Sequence, residues 1–162
     1  MNKSDKKTGP FSIGVISDTH GLLRPGAIDA FQGVDLIIHA GDVGDPRIIG
    51  TLGASAPVVT VRGNMDSGGW AYKLNRTETV EKSGMLFYVL HDISRLDLDP
   101  ALSGIKAVIS GHTHAPSIKR HKGVLYLNPG SAGPGRSKLP PSVAVIDIDG
   151  RSLDARIIEL KE

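Results

Sequence analysis

Five short segments of the 162-residue sequence supply seven side chains able to hold a divalent metal: Asp18 with His20, Asp42, Asn64, His91, and His112 with His114. Two are carboxylates, four are imidazoles and one is an amide. A single ion ordinarily takes about four protein ligands, so seven exceed its needs. Two ions roughly 3.5–4 Å apart that share one carboxylate use all seven, which is the arrangement of two-metal phosphoryl chemistry. Taken singly, each segment has a plainer role. Asp42 can turn the chain or cap a following helix, and Asp18-Thr19-His20 can be an ordinary turn. An isolated His-x-His is often polar surface, and a lone His91 is more often a satisfied structural group. Five independent segments of one kind favour the metal.

The five segments share a position after a β-rich, largely apolar run. Leu36-Ile37-Ile38 is continuously apolar, as expected of a parallel strand covered on both faces, and it leads to Gly41-Asp42. Ser12–Ser17 empties into Asp18-Thr19-His20, where residues i and i+2 of extended backbone share a face. Val58–Val61 leads to Arg62-Gly63-Asn64-Met65-Asp66, Leu86–Leu90 to His91-Asp92, and Ala107–Ile109 to Gly111-His112-Thr113-His114. Ligands of open α/β sheets bind in the crevice beyond the carboxyl ends of the strands.

The connecting segments complete an α/β pattern. Pro25–Phe31 and Asp45–Leu52 read as short helices, the second with Asp45 as N-cap and Pro46 at the first helical position. Ser67-Gly68-Gly69-Trp70 reads as a loop, and Thr77–Glu81 with Leu86–Leu90 as a hairpin around Ser83-Gly84. A short helix is expected over Asp97–Leu102. The remainder is β-rich, in Ser117–Arg120, Val124–Leu127, Val143–Ile148 and Leu153–Leu160, with turns at Lys122-Gly123 and Asp149-Gly150.

Size and composition bound the reading further. Residues 1–10, with Lys3, Lys6, Lys7 and Gly9-Pro10, read as a disordered polar tail, and residues 11–162 as a single domain with enough apolar content, 40%, for a real core. There is no cysteine, which excludes disulfides, thiolate metal sites and a thiol nucleophile. The net charge of +2, from 19 basic and 17 acidic side chains, leaves no electrostatic footprint for a nucleic-acid polymer. No apolar run approaches the roughly 20 residues of a spanning helix, and the N-terminus lacks the apolar stretch of a signal peptide, so a cytoplasmic protein without membrane contact is expected.

In their order along the chain, Asp18-Thr19-His20, Gly41-Asp42, Gly63-Asn64, His91 and Gly111-His112-Thr113-His114, followed by Asn128-Pro129-Gly130-Ser131, resemble the calcineurin-like metallophosphoesterases, and within them the small single-domain phosphodiesterase branch. The resemblance runs from Phe11 to nearly the C-terminus. It implies an α/β fold, a four-layer α/β/β/α sandwich with the metals at the strand ends. It also implies that Asp18, His20, Asp42 and His114 hold one ion and Asp42, Asn64, His91 and His112 the other, with Asp42 as the bridge. The implied activity is hydrolysis of a small phosphodiester by a metal-bridging hydroxide, with a nucleotide among the candidate substrates and a homo-oligomer compatible. Mixed carboxylate, imidazole and amide ligands suit manganese, iron, zinc, cobalt or nickel without choosing among them, and manganese is taken as the first candidate. A retromer subunit that shares this fold serves protein assembly, so a protein-binding scaffold is the alternative.

Two residues depart from the family pattern. Met65 stands where many members carry a histidine that protonates the leaving group or binds phosphate, and Asp92 follows His91 where His-Gly-His is frequent. Asp66 is the nearest substitute acid, ranked second because an ordinary aspartate is ionised at neutral pH. Arg136 is a candidate phosphate clamp, with a solvated loop arginine as the plainer reading. His39 is either a partner behind the ligands or a buried structural histidine, and Trp70 packs over its loop or belongs to a lid or subunit contact.

Overall fold

The computed structural model describes residues 10–134 and 138–161; the 1–9 part of the expected tail and Arg136 lie outside them. Among the described residues, ten strands and three short helices run in the order β1 (Phe11–Ile16), α1 (Pro25–Ala30), β2 (Leu36–His39), α2 (Pro46–Gly53), β3 (Val58–Thr60), α3 (Gly69–Tyr72), β4 (Thr77–Lys82), β5 (Met85–Leu90), β6 (Ile105–Ile109), β7 (Ser117–His121), β8 (Val124–Asn128), β9 (Ser142–Asp149) and β10 (Ser152–Glu159). They build two five-stranded sheets, ordered β10-β9-β1-β2-β3 and β4-β5-β6-β8-β7. The fold is the expected mixed α/β sandwich.

Strand direction decides where the polar residues go. β1, β2 and β3 are parallel to one another in the first sheet, and β5, β6 and β8 in the second. Antiparallel β9, β10, β4 and β7 flank them. Each parallel strand therefore releases its chain at the same edge of its sheet. The alternation of side chains then sorts the apolar residues between layers. Ile13, Val15 and Ile38 of the first sheet meet Phe87, Val89, Ile109 and Leu127 of the second in the central core. Ile16, Ile37 and Val145 point the other way, onto Ala27 and Phe31 of the α1 region and Ile48 and Leu52 of α2.

Several local expectations hold. Asp45 caps α2, its carboxylate accepting the Arg47 N–H at 2.9 Å, with Pro46 opening the helix. Ser83-Gly84 and Lys122-Gly123 each place two successive residues at positive φ, as two-residue hairpin turns require. Two expectations are corrected. Ser67–Trp70 is not all loop, because Gly68 at φ 96° starts the helical turn α3, and Trp70 packs against the α1–α2 cluster. Asp97–Leu102 is not a helix. Asp99 accepts the Ala101 and Leu102 N–H groups but the turn ends at Gly104, and a 3-10 turn forms earlier, at Ile93–Arg95. The outer layer on the second sheet is thus irregular chain: Ile93, Leu96 and Leu98 pack on Leu90, Val108 and Val124.

Candidate metal centre

At the shared strand edge the backbone itself is unusual. Asp18, His20, Asp42, His112 and His114 all have φ between 46° and 70°, the left-handed region that non-glycine residues seldom occupy. Such conformations cost about 1–3 kcal/mol each and persist where their surroundings hold them. Here the Asp18 N–H donates to the Gly41 carbonyl at 3.0 Å, the His20 N–H to that of Asp42 at 3.0 Å, and the Gly21 N–H to that of Val43 at 2.9 Å. The turns after β1 and β2 are thereby laced together. Glycine allows the loops to close in. A Cβ on Gly63 would overlap the Asp42 amide and carboxylate, and one on Gly111 would overlap the Ser17 hydroxyl and the Asp18 carboxylate.

Asp18 is fully buried and its two oxygens have different partners. Oδ2 accepts from the Ser17 hydroxyl at 2.7 Å and from the His112 N–H at 3.0 Å. Oδ1 accepts no hydrogen bond, yet it lies 3.2 Å from His114 Nε2, 3.6 Å from His20 Nε2 and 3.8 Å from His91 Nε2. Asp42 repeats this division: Oδ1 accepts the Met65 N–H at 2.8 Å, and Oδ2 lies 3.2 Å from His91 Nε2 and 3.7 Å from His20 Nε2.

His91 is oriented from behind. Its Nδ1 lies 2.7 Å from the Ala40 carbonyl oxygen, which can only accept, so Nδ1 carries the proton and the neutral ring keeps its lone pair on Nε2. That Nε2 is buried and is not aligned for a hydrogen bond with any partner, Asp42 Oδ2 included. His20 and His114 bring their Nε2 atoms to 3.4 Å of each other, so a proton or a cation must relieve the facing lone pairs.

The charges bear on the same point. Burial opposes protonation of His91, but the Asp42 and Asp18 carboxylates and the Ala40 carbonyl outweigh it and raise its pKa. Burial likewise opposes ionisation of Asp42, but His91, the Met65 N–H and His20 outweigh it and lower its pKa. The pocket favours positive charge.

Two groups in it suit a metal: Asp18, His20 and His114, and Asp18, Asp42 and His91. Within each group one donor atom per residue lies within 4.8 Å of the others. Leaving a buried donor or acceptor unpaired costs about 1–3 kcal/mol, and a divalent cation would satisfy Asp18 Oδ1 and His91 Nε2 together. The residues fit the ions that the sequence calls for. Asp18 is the member common to both groups, whereas the family resemblance makes Asp42 the bridge.

Asn64 and His112 stand beside these groups as a pair, Asn64 Oδ1 3.2 Å from His112 Nδ1. Both are exposed, and the His112 ring meets that of His91 edge-on with centroids 5.2 Å apart. Asp92, a departure in the sequence, lies next to them: Oδ2 is 3.7 Å from His112 Nε2 while Oδ1 accepts the Ser94 N–H at 3.0 Å. Its one signal in the sequence is an acid directly after His91. Asp66 is a clamp between loops, Oδ1 accepting the Gly44 N–H at 3.0 Å and Oδ2 that of Gly63 at 2.9 Å. Both oxygens are thus engaged by loop amides, and the side chain is buried.

His39 is fully buried and lies behind the centre. Nδ1 accepts the Gly41 N–H at 3.1 Å, so Nε2–H donates to the Thr19 hydroxyl at 3.0 Å, which donates to the Val43 carbonyl at 2.8 Å. Burial, with the nearby His91 charge, holds its pKa down at about 3. It is a neutral brace between the β1 and β2 turns. Asn128, the last residue of β8, plays the equivalent part: its amide donates to the Gly111 carbonyl at 2.9 Å and to the Thr113 hydroxyl at 3.0 Å.

Comparison with known proteins agrees with this geometry. A probable metallophosphoesterase of Methanothermobacter thermautotrophicus is 40% identical over 158 residues, covering 90% of this chain and 91% of its own. An archaeal phosphodiesterase of known structure superposes with a TM-score of 0.76 at 25% identity, over 91% of this chain and 100% of that one. Vacuolar protein sorting 29 of Cryptosporidium parvum, at 17% identity, shares the fold with a TM-score of 0.75 over 95% and 100% of the two chains. The family model of the calcineurin-like phosphoesterase superfamily domain matches residues 11–151, so the chain belongs to this family of metal-dependent hydrolases.

Proposed function

We propose that the protein is a two-metal phosphodiesterase acting on a small phosphodiester, with a nucleotide among the candidates. The observation that carries this reading is the pair of buried, unpartnered ligand atoms, Asp18 Oδ1 and His91 Nε2, set among Asp42, His20 and His114. Asp18, His20, Asp42 and His114 would hold one ion, and Asp42, Asn64, His91 and His112 the other. The closeness of Asp18 Oδ1 to imidazoles of both groups supports a second shared position beside that of Asp42. When bound, manganese or another of the expected divalent metals neutralises phosphoryl oxygens and lowers the pKa of water, supplying a nucleophile at neutral pH.

The protein's own groups set the limits of that chemistry. The Ala40 carbonyl fixes the ligand face of His91, and Ser17 and the Met65 N–H hold the carboxylates. Asn64 and His112 form the exposed rim where a substrate meets the site. Beside that rim the exposed Met65 offers no proton, and the buried Asp66 is engaged by the Gly44 and Gly63 amides. A soluble, cytoplasmic enzyme of one domain, 11–162, is part of the same reading; among the described residues no helix is long and apolar enough to cross a membrane.

The test is turnover of bis(p-nitrophenyl) phosphate with Mn²⁺, Fe²⁺, Zn²⁺, Co²⁺ or Ni²⁺, with Asp42→Ala as control. Metal-dependent release of nitrophenol that Asp42→Ala abolishes supports the enzyme. Absence of turnover with every metal, or equal turnover by the variant, leaves the protein-binding scaffold as the better reading.

A further inference from the structure

A cleft of about 490 Å³ opens directly beside the candidate metal ligands, and Asn64, His91 and His112 line it together with Arg62, Arg76 and Arg95. The three arginines come from three different places: Arg62 just after β3, Arg76 just before β4 and Arg95 in the 3-10 turn after β5. Among the described residues none of them is ion-paired to a carboxylate, whereas Arg47, Arg120 and Arg156 are. Arg62 is held in place, its guanidinium 5.3 Å from the centre of the Tyr72 ring, and its Nε is buried with no hydrogen-bond partner. Its backbone N–H donates to the Asn75 carbonyl at 2.9 Å, which ties it to the chain just before Arg76. The one acid in the cleft, Asp92, is occupied in part by Ser94. Three guanidiniums and one carboxylate leave the cleft with a clear positive excess.

We infer that this cleft binds a second phosphate of the substrate, on a diester whose scissile phosphate lies at the metal ligands. The inference rests on the hydrolase reading and narrows its substrate class to diesters bearing a further phosphate. Three like charges on one cleft repel one another without an anion, and a phosphate monoester, with a charge near −2 at neutral pH, is the group that planar guanidinium forks match best. A cleft of this size falls within the range of small-ligand sites. Arg62 is the fixed element of the subsite, and Arg76 and Arg95 reach in from its exposed rim.

Two substrates that differ only in that phosphate provide the test: thymidine 5′-(p-nitrophenyl phosphate) and its 3′-phosphorylated counterpart share one leaving group and one nucleoside. The wild type should favour the 3′-phosphorylated ester in kcat/KM by at least about tenfold, the worth of one charge-assisted contact. In Arg76→Glu/Arg95→Glu, which alters exposed side chains only, the ratio should fall to near one or below. Independently of turnover, thymidine 3′,5′-bisphosphate should bind the EDTA-treated protein in calorimetry and lose at least about tenfold in affinity in the same variant. Equal kcat/KM for the two esters in the wild type, or bisphosphate affinity unchanged by the double substitution, overturns the inference. If neither ester is cleaved with any metal, the hydrolase reading fails, and bisphosphate binding still decides the cleft.

Discussion

His91 and Ala40 join the two sheets at the centre: the imidazole Nδ1 that follows β5 donates to the carbonyl that follows β2 at 2.7 Å. The bond serves both fold and site. It closes the sandwich at its polar edge, and it turns Nε2 toward Asp18 and Asp42 with the lone pair available. A ligating histidine whose other nitrogen is held by a carbonyl is the usual way a protein fixes tautomer and aim.

Metal should therefore stabilise the fold through His91. A ligand present at about 100 times its dissociation constant adds about 2.7 kcal/mol, which for a chain of this size raises Tm by about 5 °C or more. Saturating Mn²⁺ should produce that rise in the wild type, and His91→Ala should lose it. A metal-induced shift of full size in His91→Ala, measured by scanning calorimetry after EDTA treatment and reloading, would contradict the role assigned to this side chain.

Asp18 and Asp42 should differ from the peripheral ligands in how many ions they control. Asp18 Oδ1 lies near His20, His91 and His114, and Asp42 Oδ2 near His20 and His91. Elemental analysis of the Mn²⁺-loaded wild type should give close to two equivalents. Asp18→Asn should bind well under one, while His112→Ala, which alters an exposed rim residue, should retain about one. A stoichiometry of one at saturation in the wild type would rule out the two-ion centre.

Much of this centre is legible in the sequence, for a physical reason. Buried parallel strands are written as apolar runs, and β1, β2, β3, β5 and β6 each pass straight into a ligand type. The left-handed backbone at Asp18, His20, Asp42, His112 and His114 is not legible, because it depends on hydrogen bonds between loops far apart in the chain. Asp66 shows the same limit. As a residue type near Asn64 it reads as a proton donor, and only the positions of the Gly44 and Gly63 amides make it a clamp. At Asp97–Leu102 local capping by Asp99 is real, but the chain turns into β6 after one turn, a tertiary demand that propensity does not carry.

His39 predicts an acid sensitivity of the metal-free fold. Its folded-state pKa is held at about 3, against about 6.5 when unfolded, so between these values the unfolded chain binds a proton that the folded one refuses. Its contribution is constant above about pH 6.5 and falls as the pH drops toward 3, by up to about tenfold in the folding constant per pH unit. The measurement is a difference between two proteins that differ only at this residue. Urea unfolding of EDTA-treated wild type and His39→Gln at pH 7, 6, 5 and 4 should show the wild type losing stability faster on acidification. Parallel curves for the two proteins would mean that His39 does not carry this term.

Met65 should set how the rate depends on the leaving group. Its N–H is spent on Asp42 Oδ1 at 2.8 Å, while its side chain is 56% exposed beside Asn64, so the position tolerates substitution without disturbing the core. A general acid contributes about 10² to 10⁴ in rate by protonating the departing oxygen; Met65 cannot do so, and Asp66 is buried with both oxygens on loop amides. The rate of the wild type should then depend steeply on the basicity of the leaving group, with activated aryl esters cleaved well and alkyl esters poorly. Met65→His puts an imidazole at the position where many family members carry one, and it should gain most on the most basic leaving groups, flattening the dependence. The measurement is kcat/KM across a series of aryl and alkyl phosphodiesters for both proteins, with single-turnover rates to establish that the chemical step is being read. A wild-type dependence that is already flat, with chemistry rate-limiting, would mean that another group supplies the proton and that this reading of Met65 is wrong.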